Sequence, residues 1–510
     1  MSAEEVPLPR AAIQHIYDLD FGLRADNFSI KPVHVANGLA RALTGRSYKS
    51  TALQQTLKRY VQNQRAGKVR EERHPTAEIL ERYPSAFGSG QASDPERVNV
   101  LRTLSGGLLN ADDGVYDSPD QSSYTLSNER FVTRDPSDYR AGLFLARLLT
   151  AGEAGDAADL LVECLRDESD PYTSLAMPML SLAETREETA TGDERQLAGL
   201  EHILETDADG RLQSRTLAEI RSSFDRLARF ERHQGSKLNT LRRLVLFGCF
   251  AIHVHLVARW SEVEVGAPRP PILVDLFDGA RLPLRDASRS TLIAAGESIN
   301  GLVSARLRER FAEWDDDAVY ALLDQPRFAE PNPKDAKLTE VRPSYDALRR
   351  AGEDPGTSLA EAYLQVGYEM DGGAPIGYLT ELGRRAGYLT PWAVQGRGGK
   401  TLKRYGITAE FLETLVAATI ETDAPTTVDE FLDMLRLRFG LVAGRGVDDE
   451  DVRRNNLLGQ PWGTPTSIAE EDLRMNVTAL KDALVETGYA KAYADGQTVV
   501  TANPDRAVGL

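Results

Sequence analysis

Cysteine is scarce in this sequence of 510 residues, in which only Cys164 and Cys249 occur. Two cysteines cannot supply the disulfide framework that stabilises small secreted proteins, nor a zinc site with four cysteine ligands. The first ten residues, MSAEEVPLPR, contain no apolar core of the kind that a signal peptide needs. A cytoplasmic protein without disulfide bonds is therefore the expectation.

Lysine is also rare, since 11 of the 60 basic residues are Lys and 49 are Arg, against 77 acidic residues and a net charge of −17. Such a composition is favoured in a cytoplasm of high salt, and a genome of high GC content also raises the share of Arg. Both explanations remain open. At molar salt the Debye length is only about 3 Å, so basic residues would act on a polyanion by direct contact.

Long apolar runs are few, and the longest covers residues 244–258. It includes His253 and His255 and is too short to span a bilayer comfortably. A buried core helix is predicted there, and no membrane is expected among the partners.

The rest of the sequence is typical of a globular protein, with 41% hydrophobic and 27% charged residues. Apolar residues recur at helical spacing in 139–149, 157–165, 217–232, 238–260 and 291–314. Residues 271–278 instead read as a short buried strand that ends in a turn. A mainly α fold is predicted, with a multi-helical body and few short strands.

Three units are predicted from these patterns. Residues 1–75 form an N-terminal basic helical unit, residues 76–425 the mainly helical body, and residues 426–510 a C-terminal domain. The boundaries follow changes in charge and in the density of helical patterns.

The C-terminal unit combines a helix at 428–439, ended by Gly440, with a second helix that begins at a capping box of Ser467 and Glu470. Two short alternating runs follow, joined by Asp495 and Gly496, the preferred pair for a two-residue hairpin turn. Helices followed by a terminal hairpin resemble a winged-helix domain, over about residues 427–503. The second helix is acidic, which indicates a domain that mediates protein contacts or simply completes the fold, and not one that contacts phosphate.

The strongest functional signal is a stretch without acid. Residues 27–70 contain nine Lys or Arg and no Asp or Glu, whereas about six or seven acidic residues are expected in a window of that length. A segment kept basic in so acidic a chain indicates a negatively charged partner, and phosphate is the commonest one.

Two helices are predicted within this stretch, at 33–44, closed by Gly45, and at 51–64, which begins after Ser50. The second has a polar face of Gln, Lys and Arg, the residue types that contact base edges and phosphates in a major groove. The arrangement follows the plan of a helix-turn-helix, although the connection is longer than the compact form. The predicted nucleic-acid contacts are Arg41, Arg46, Lys49, Gln54, Lys58, Arg59, Gln62 and Arg65.

Two other interpretations of this stretch remain open. It is either a solvated pair of helices whose acidic residues are missing by chance, or a basic face that docks on an acidic protein or on the acidic body of the chain itself.

A second stretch without acid covers residues 382–409 and interleaves basic residues with Tyr388, Trp392 and Tyr405, a pattern that suits a single strand or a backbone groove. The pentapeptide Thr-Leu-Lys-Arg-Tyr occurs in both stretches, so a duplicated module is a further possibility. The segment Gly-Arg-Gly-Gly-Lys-Thr is not a nucleotide-binding P-loop, because Val394 stands where the motif requires Gly. The predicted contacts here are Arg397, Lys400, Lys403 and Arg404.

Catalytic signatures are weak. Cys249 and His253 share a helix face at metal-ligand spacing, but a second pair of ligands is missing, so neither a metal site nor a cofactor is predicted. Asp275 and Asp278, at the end of the predicted strand, are the carboxylates that a nuclease-like site would use. No nucleophile elbow or dinucleotide fingerprint occurs.

The sequence therefore favours a non-enzymatic, DNA-binding subunit of a prokaryotic DNA-processing or defence complex, with DNA and other proteins as partners. One alternative is a helical scaffold for protein–protein contacts whose basic segment docks on an acidic partner. Another is a nuclease-like enzyme with an unrecognised site near Asp275 and His253.

Overall fold

The protein is mainly helical throughout the part that the computed structural model describes, as the sequence predicts. The described residues are 6–25, 30–45, 80–81, 96, 128–132, 137–152, 155–169, 198–234, 236–267, 269–277, 280–371, 375–390, 403–444, 470–494 and 496–502. The helices up to the middle of the chain are α1 (Pro9–Ile16), α2 (Pro32–Thr44), α3 (Ala141–Thr150), α4 (Asp156–Arg166), α5 (Ala198–Ile203), α6 (Arg215–Glu231) and α7 (Lys237–Val263).

The second half adds nine helices and five short strands among the described residues. The helices are α8 (Leu282–Phe311), α9 (Asp316–Leu323), α10 (Pro326–Ala329), α11 (Val341–Arg350), α12 (Pro355–Asp371), α13 (Pro375–Ala386), α14 (Ala409–Thr419), α15 (Val428–Phe439) and α16 (Glu470–Glu486). The strands are β1 (Ile272–Leu273), β2 (Thr426–Thr427), β3 (Leu441–Val442), β4 (Ala490–Ala492) and β5 (Thr498–Val500).

Helix α7 is the centre of the core. Every residue from 244 to 259 is buried, and the helix packs against α2, α3, α4, α6, α8, α13 and α14. A helix that is apolar on all sides must be covered on all sides, and this one is enclosed by its neighbours. The prediction of a buried core helix at 244–258 is confirmed.

The same helix is long and apolar enough to cross a membrane by length and composition. In the structure, 89% of its most apolar window is buried inside the protein. This enclosure is what a core helix of a globular fold shows.

The other helices predicted from apolar spacing are also found, with ends that differ by one or two residues at most positions. Helix α8 is the exception, since it begins at Leu282 rather than at 291. Its first turns bury Ala287 and Ser288, whose small side chains contribute little to an apolar pattern in the sequence. The predicted strand at 271–278 is shorter, because only β1 forms ladder pairs, parallel to β3.

Helix α2 and helix α3 approach each other backbone to backbone. A Cβ atom on Gly142 would collide with the backbone of Gly38 and Leu39. Glycine on both helices therefore permits this contact, and α2 ends at Gly45 in the left-handed conformation, as predicted. Ten residues of α2 are buried, so this helix belongs to the core.

The C-terminal hairpin forms where it was predicted, but its turn is different. Ala490 pairs with Val500 and Ala492 with Thr498, and the N–H of Tyr493 donates to the carbonyl of Gln497, which leaves three residues in the loop rather than two. Gly496 has φ +84°, and its N–H donates to the carbonyl of Tyr493. This is the turn followed by a left-handed residue that is usual in three-residue hairpins. Strand β5 also pairs with β2, giving the order β2-β5-β4.

The described residues of the predicted terminal units pack into the body. Apolar residues of α1, α2 and α15 belong to the same buried cluster as those of α7 and α8. Asn476 of α16, fully buried, donates from Nδ2 to the carbonyls of Val274 and Ala443 and accepts from the N–H of Leu276. The division into 1–75, 76–425 and 426–510 stays a prediction. Ser467, and with it the predicted capping box, lies outside the described residues.

The two histidines of α7 make stability depend on pH. Burial lowers the pKa of His253 to about 3, and burial with the charge of Arg259 lowers that of His255 to about 4. Between those values and the ordinary pKa near 6.5, the unfolded chain binds more protons than the folded protein. The free energy of unfolding should therefore fall as the pH falls from about 6.5 to 4, by up to about 1.4 kcal/mol per pH unit for each histidine.

Guanidinium unfolding at pH 7.5, 6.0 and 5.0 measures this dependence. Replacing His253 by Gln removes the titrating group and should make the decline shallower. His202→Gln, at an exposed position, should leave it unchanged. An identical decline in wild type and His253→Gln would contradict the expectation.

Candidate polyanion-binding site

The second basic stretch is anchored by the end of α13. Tyr378, Leu379 and Leu382 of this helix are buried, and the helix packs against α7 and α8. It ends at Gly387, whose φ of +89° suits glycine, and the chain then extends. The N–H of Thr390 donates to the carbonyl of Arg404, so the described residues that flank the segment 391–402 lie side by side.

Three cationic side chains converge on one carboxylate at this place. Arg384 donates to Glu381 Oε2 at 3.0 Å, Arg385 donates to the same oxygen, and Lys403 Nζ lies 3.3 Å from Oε1. The spacing of Glu381 from Arg384 and Arg385 is i, i+3 and i, i+4 on one helix, which brings them together. We call these four residues the Glu381 cluster.

The Glu381 carboxylate is charged at neutral pH. Although burial opposes ionisation, the hydrogen bonds and charges of Arg385 and Arg384 lower the pKa of Glu381 to about 2. Three cationic side chains thus contact one ionised carboxylate. Burial lowers the pKa of Lys403, and the two arginines add to this effect while Glu381 opposes it.

One donor in the cluster lacks an acceptor. The Nε atom of Arg384 is buried, and no hydrogen-bond partner for it occurs among the described residues. A buried donor without an acceptor is costly, and an oxyanion is one group that would supply the acceptor. The side chain of Arg384 is 31% exposed and that of Lys403 17%, so solvent reaches the cluster.

Arg404, the neighbour of Lys403, has a different role. Its Nε donates to Asp275 Oδ2 at 2.6 Å, and the two side chains are 5% and 0% exposed. The other oxygen of Asp275 accepts from the N–H of Phe277. Arg404 therefore neutralises a buried carboxylate and contributes to the core.

Arg41 is placed in the same way. Its Nη2 lies 3.3 Å from Asp138 Oδ1, and the two side chains are 8% and 1% exposed. Asp138 also accepts from the N–H of Gly142, which fixes the start of α3 against α2. In the described fold, this arginine serves the packing of two helices.

The remaining predicted contacts lie outside the described residues. They are Arg46, Lys49, Gln54, Lys58, Arg59, Gln62, Arg65, Arg397 and Lys400. The site prediction did not include Arg384, Arg385 and Glu381. The sequence contained a signal for these residues, because an acidic residue followed by two basic residues at i+3 and i+4 forms a local cluster on a helix.

The aromatic residues of the second stretch are partly accounted for. Tyr388 and Tyr405 are buried, and both rings contact His253 edge to face. They fill the core, so these two rings do not form a stacking platform for bases. Trp392 lies outside the described residues.

The groups suggested for catalysis are also part of the core. Asp275 is paired with Arg404, and the Nε2 atom of His253 lies 2.8 Å from the hydroxyl of Tyr405. Burial raises the pKa of Cys249 far above its ordinary value, so the thiol stays protonated. Among the described residues no group of three or more His, Cys, Asp or Glu could hold a metal ion. Asp278 lies outside them.

Comparison of the chain with models of protein families, with curated proteins and with solved structures finds no match.

The contrast between two adjacent residues is testable. Arg404→Met removes the arginine that pairs with the buried carboxylate of Asp275 and should lower the free energy of unfolding by about 3–5 kcal/mol. Lys403→Met breaks a partly exposed pair and should cost less than about 1 kcal/mol. Urea unfolding of both variants measures the difference.

The double variant Arg404→Met/Asp275→Asn should regain part of the loss, since the buried charge that Arg404 paired with is removed as well. Equal losses in the two single variants would show that Arg404 and Lys403 are not distinguished by burial in solution.

Proposed function

We propose that the chain is a non-enzymatic nucleic-acid-binding subunit, and that the Glu381 cluster is its phosphate contact within the described fold. The observation that carries the proposal is the convergence of three cations on one carboxylate. This cluster lies where the segment 391–402 begins and ends, and that segment adds Arg397 and Lys400 with no acidic residue.

The charge balance supports a polyanion as partner. The chain as a whole has a net charge of −17, so a cluster of three cationic side chains stands out against an anionic background. Guanidinium groups form bidentate hydrogen bonds with phosphate, and such contacts are charge-assisted. Phosphate contacts position a protein on nucleic acid without reading its sequence, so no sequence preference is assigned to this cluster.

The first basic stretch enters the proposal as a second contact. The predicted helix at 51–64 follows α2, whose burial leaves it the role of the supporting helix in a helix-turn-helix. The polar face of that predicted helix, with Gln54, Lys58, Arg59, Gln62 and Arg65, is then the recognition surface.

The C-terminal unit is proposed to be winged-helix-like and to mediate protein contacts. Its sheet joins β2, which precedes α15, to the terminal hairpin. Residues 466–489, which include α16, carry five acidic and two basic residues, so this face would be repelled by phosphate. A role within a prokaryotic DNA-processing or defence complex is part of the same proposal.

The scaffold alternative gains support from two contacts. Arg41 and Arg404 are neutralised by carboxylates of the same chain, as expected if basic residues dock on the acidic body. The alternative predicts that the exposed basic residues bind an acidic protein surface as well as they bind nucleic acid.

Fluorescence anisotropy with a labelled 30-base-pair duplex and a labelled 30-base single strand, across 50–500 mM KCl, tests the proposal. The variant Arg384→Gln/Arg385→Gln/Lys403→Gln removes up to three phosphate contacts. The slope of log affinity against log salt should become shallower by about 2–3, since each contact contributes about 0.9 for duplex DNA.

A matched control is Arg229→Gln/Arg232→Gln/Arg342→Gln, which removes three arginines from exposed ion pairs elsewhere. The control should retain the salt slope of the wild type. If both variants lose the same affinity, the cluster is not the contact. If polyglutamate competes as well as unlabelled DNA, the scaffold alternative is favoured instead.

A further inference from the structure

A cavity of about 650 Å³ opens between α8, α11 and α12, away from the residues assigned to phosphate contact. Helix α12 contributes Glu361, Leu364 and Gln365, which share one face at i, i+3 and i+4 spacing. Helix α11 contributes Ala347 and Leu348. The volume is within the range of pockets that hold small organic ligands.

The polar lining is rich in hydrogen-bond acceptors. The Oδ1 atom of Asn300 on α8 is buried, and no hydrogen-bond partner for it occurs among the described residues. Glu361 uses Oε1 to accept from Ser304 at 2.5 Å and from Arg308 at 2.6 Å. Its second oxygen, Oε2, takes part in no hydrogen bond of the described residues.

The apolar lining lies beside these acceptors. Pro343, Ala347, Leu348 and Leu364 provide a surface for hydrocarbon, and Ala347 is exposed at the mouth of the cavity. A ligand that fits must therefore carry hydrogen-bond donors at one end and an apolar body at the other. The carboxylate of Glu361 is the only charge in the described lining and disfavours an anion.

We propose that this cavity binds a small organic amine in its protonated form. The ammonium group donates to Asn300 Oδ1 and to Glu361 Oε2, and the hydrocarbon body lies on Leu348 and Leu364. Ammonium has three donors and no acceptor, which matches a cavity lined by a carboxylate and by an amide oxygen that has no partner among the described residues. The proposal is independent of nucleic-acid binding, because none of these residues belongs to the Glu381 cluster.

Benzylamine is a suitable probe, and benzyl alcohol is its neutral match in size and shape. Isothermal titration calorimetry of the full chain should show binding of benzylamine at least tenfold tighter than that of benzyl alcohol. Equal affinity for the two compounds would overturn the proposal, since the charge of the ligand would then be irrelevant.

Three variants test the assignment of the groups. Glu361→Gln keeps the shape of the side chain and should weaken benzylamine binding at least tenfold. Ala347→Phe places a ring at the mouth of the cavity and should abolish binding. The matched control Ala312→Phe, at an exposed position on the end of α8, should leave the affinity unchanged.

Arg308→Gln separates a binding role of Glu361 from a merely structural one. Because Arg308 competes for the carboxylate, its removal should tighten benzylamine binding several-fold while abolishing the ion pair with Glu361. Weaker or unchanged binding in Arg308→Gln, or unchanged binding in Glu361→Gln, would overturn the proposal. Thermal unfolding of each variant beforehand confirms that the comparison is between folded proteins.

Discussion

The buried ion pair between Arg404 and Asp275 is the constraint on which the surrounding structure depends. Both side chains are almost without solvent, and a buried charge is tolerated only when it is paired and hydrogen-bonded. The pair joins the chain after residue 402 to the strand region at 275, which are far apart in sequence. The N–H of Asp275 also donates to the carbonyl of Tyr405, so backbone and side chains hold the same two segments together. The position of Lys403, and thus of the Glu381 cluster, follows from this anchor.

Adjacent basic residues acquire opposite roles. Arg404 enters the core and pairs with Asp275, whereas Lys403 contacts Glu381 at the end of α13. Both residues count as positive charge in the composition, yet only the side chain of Lys403 remains partly exposed to solvent. The number of basic side chains open to a partner is likewise smaller in the N-terminal stretch than composition suggests, because Arg41 forms an ion pair with Asp138, which precedes α3.

The elements that the sequence predicts well are those decided by local physics. Apolar spacing identified α7 and the helices around it, and Gly45 and Gly440 end their helices because glycine accepts positive φ. The charged partners were not predictable, since Arg41 and Asp138 are 97 residues apart and Arg404 and Asp275 are 129 apart. The hairpin register was missed for a related reason. Asp-Gly suits a two-residue turn locally, but the pairing of β5 with β2 and β4 fixes a register with three loop residues.

The Glu381 cluster is proposed to bind an anion and the cavity lined by Glu361 to bind a cation, so a ligand would affect the stability of the fold differently at the two sites. Lys403 has a lowered pKa, so its protonated form is less stable in the fold than in the unfolded chain. A bound anion would raise that pKa again and stabilise the fold, because it favours the protonated lysine.

At Glu361 one carboxylate oxygen is already paired with Arg308, and a bound cation would compete with that arginine. An exposed ion pair is weak enough to be exchanged in this way. A bound anion would thus supply a counter-charge at the first site, and a bound ammonium group would share the carboxylate of Glu361 with Arg308 at the second.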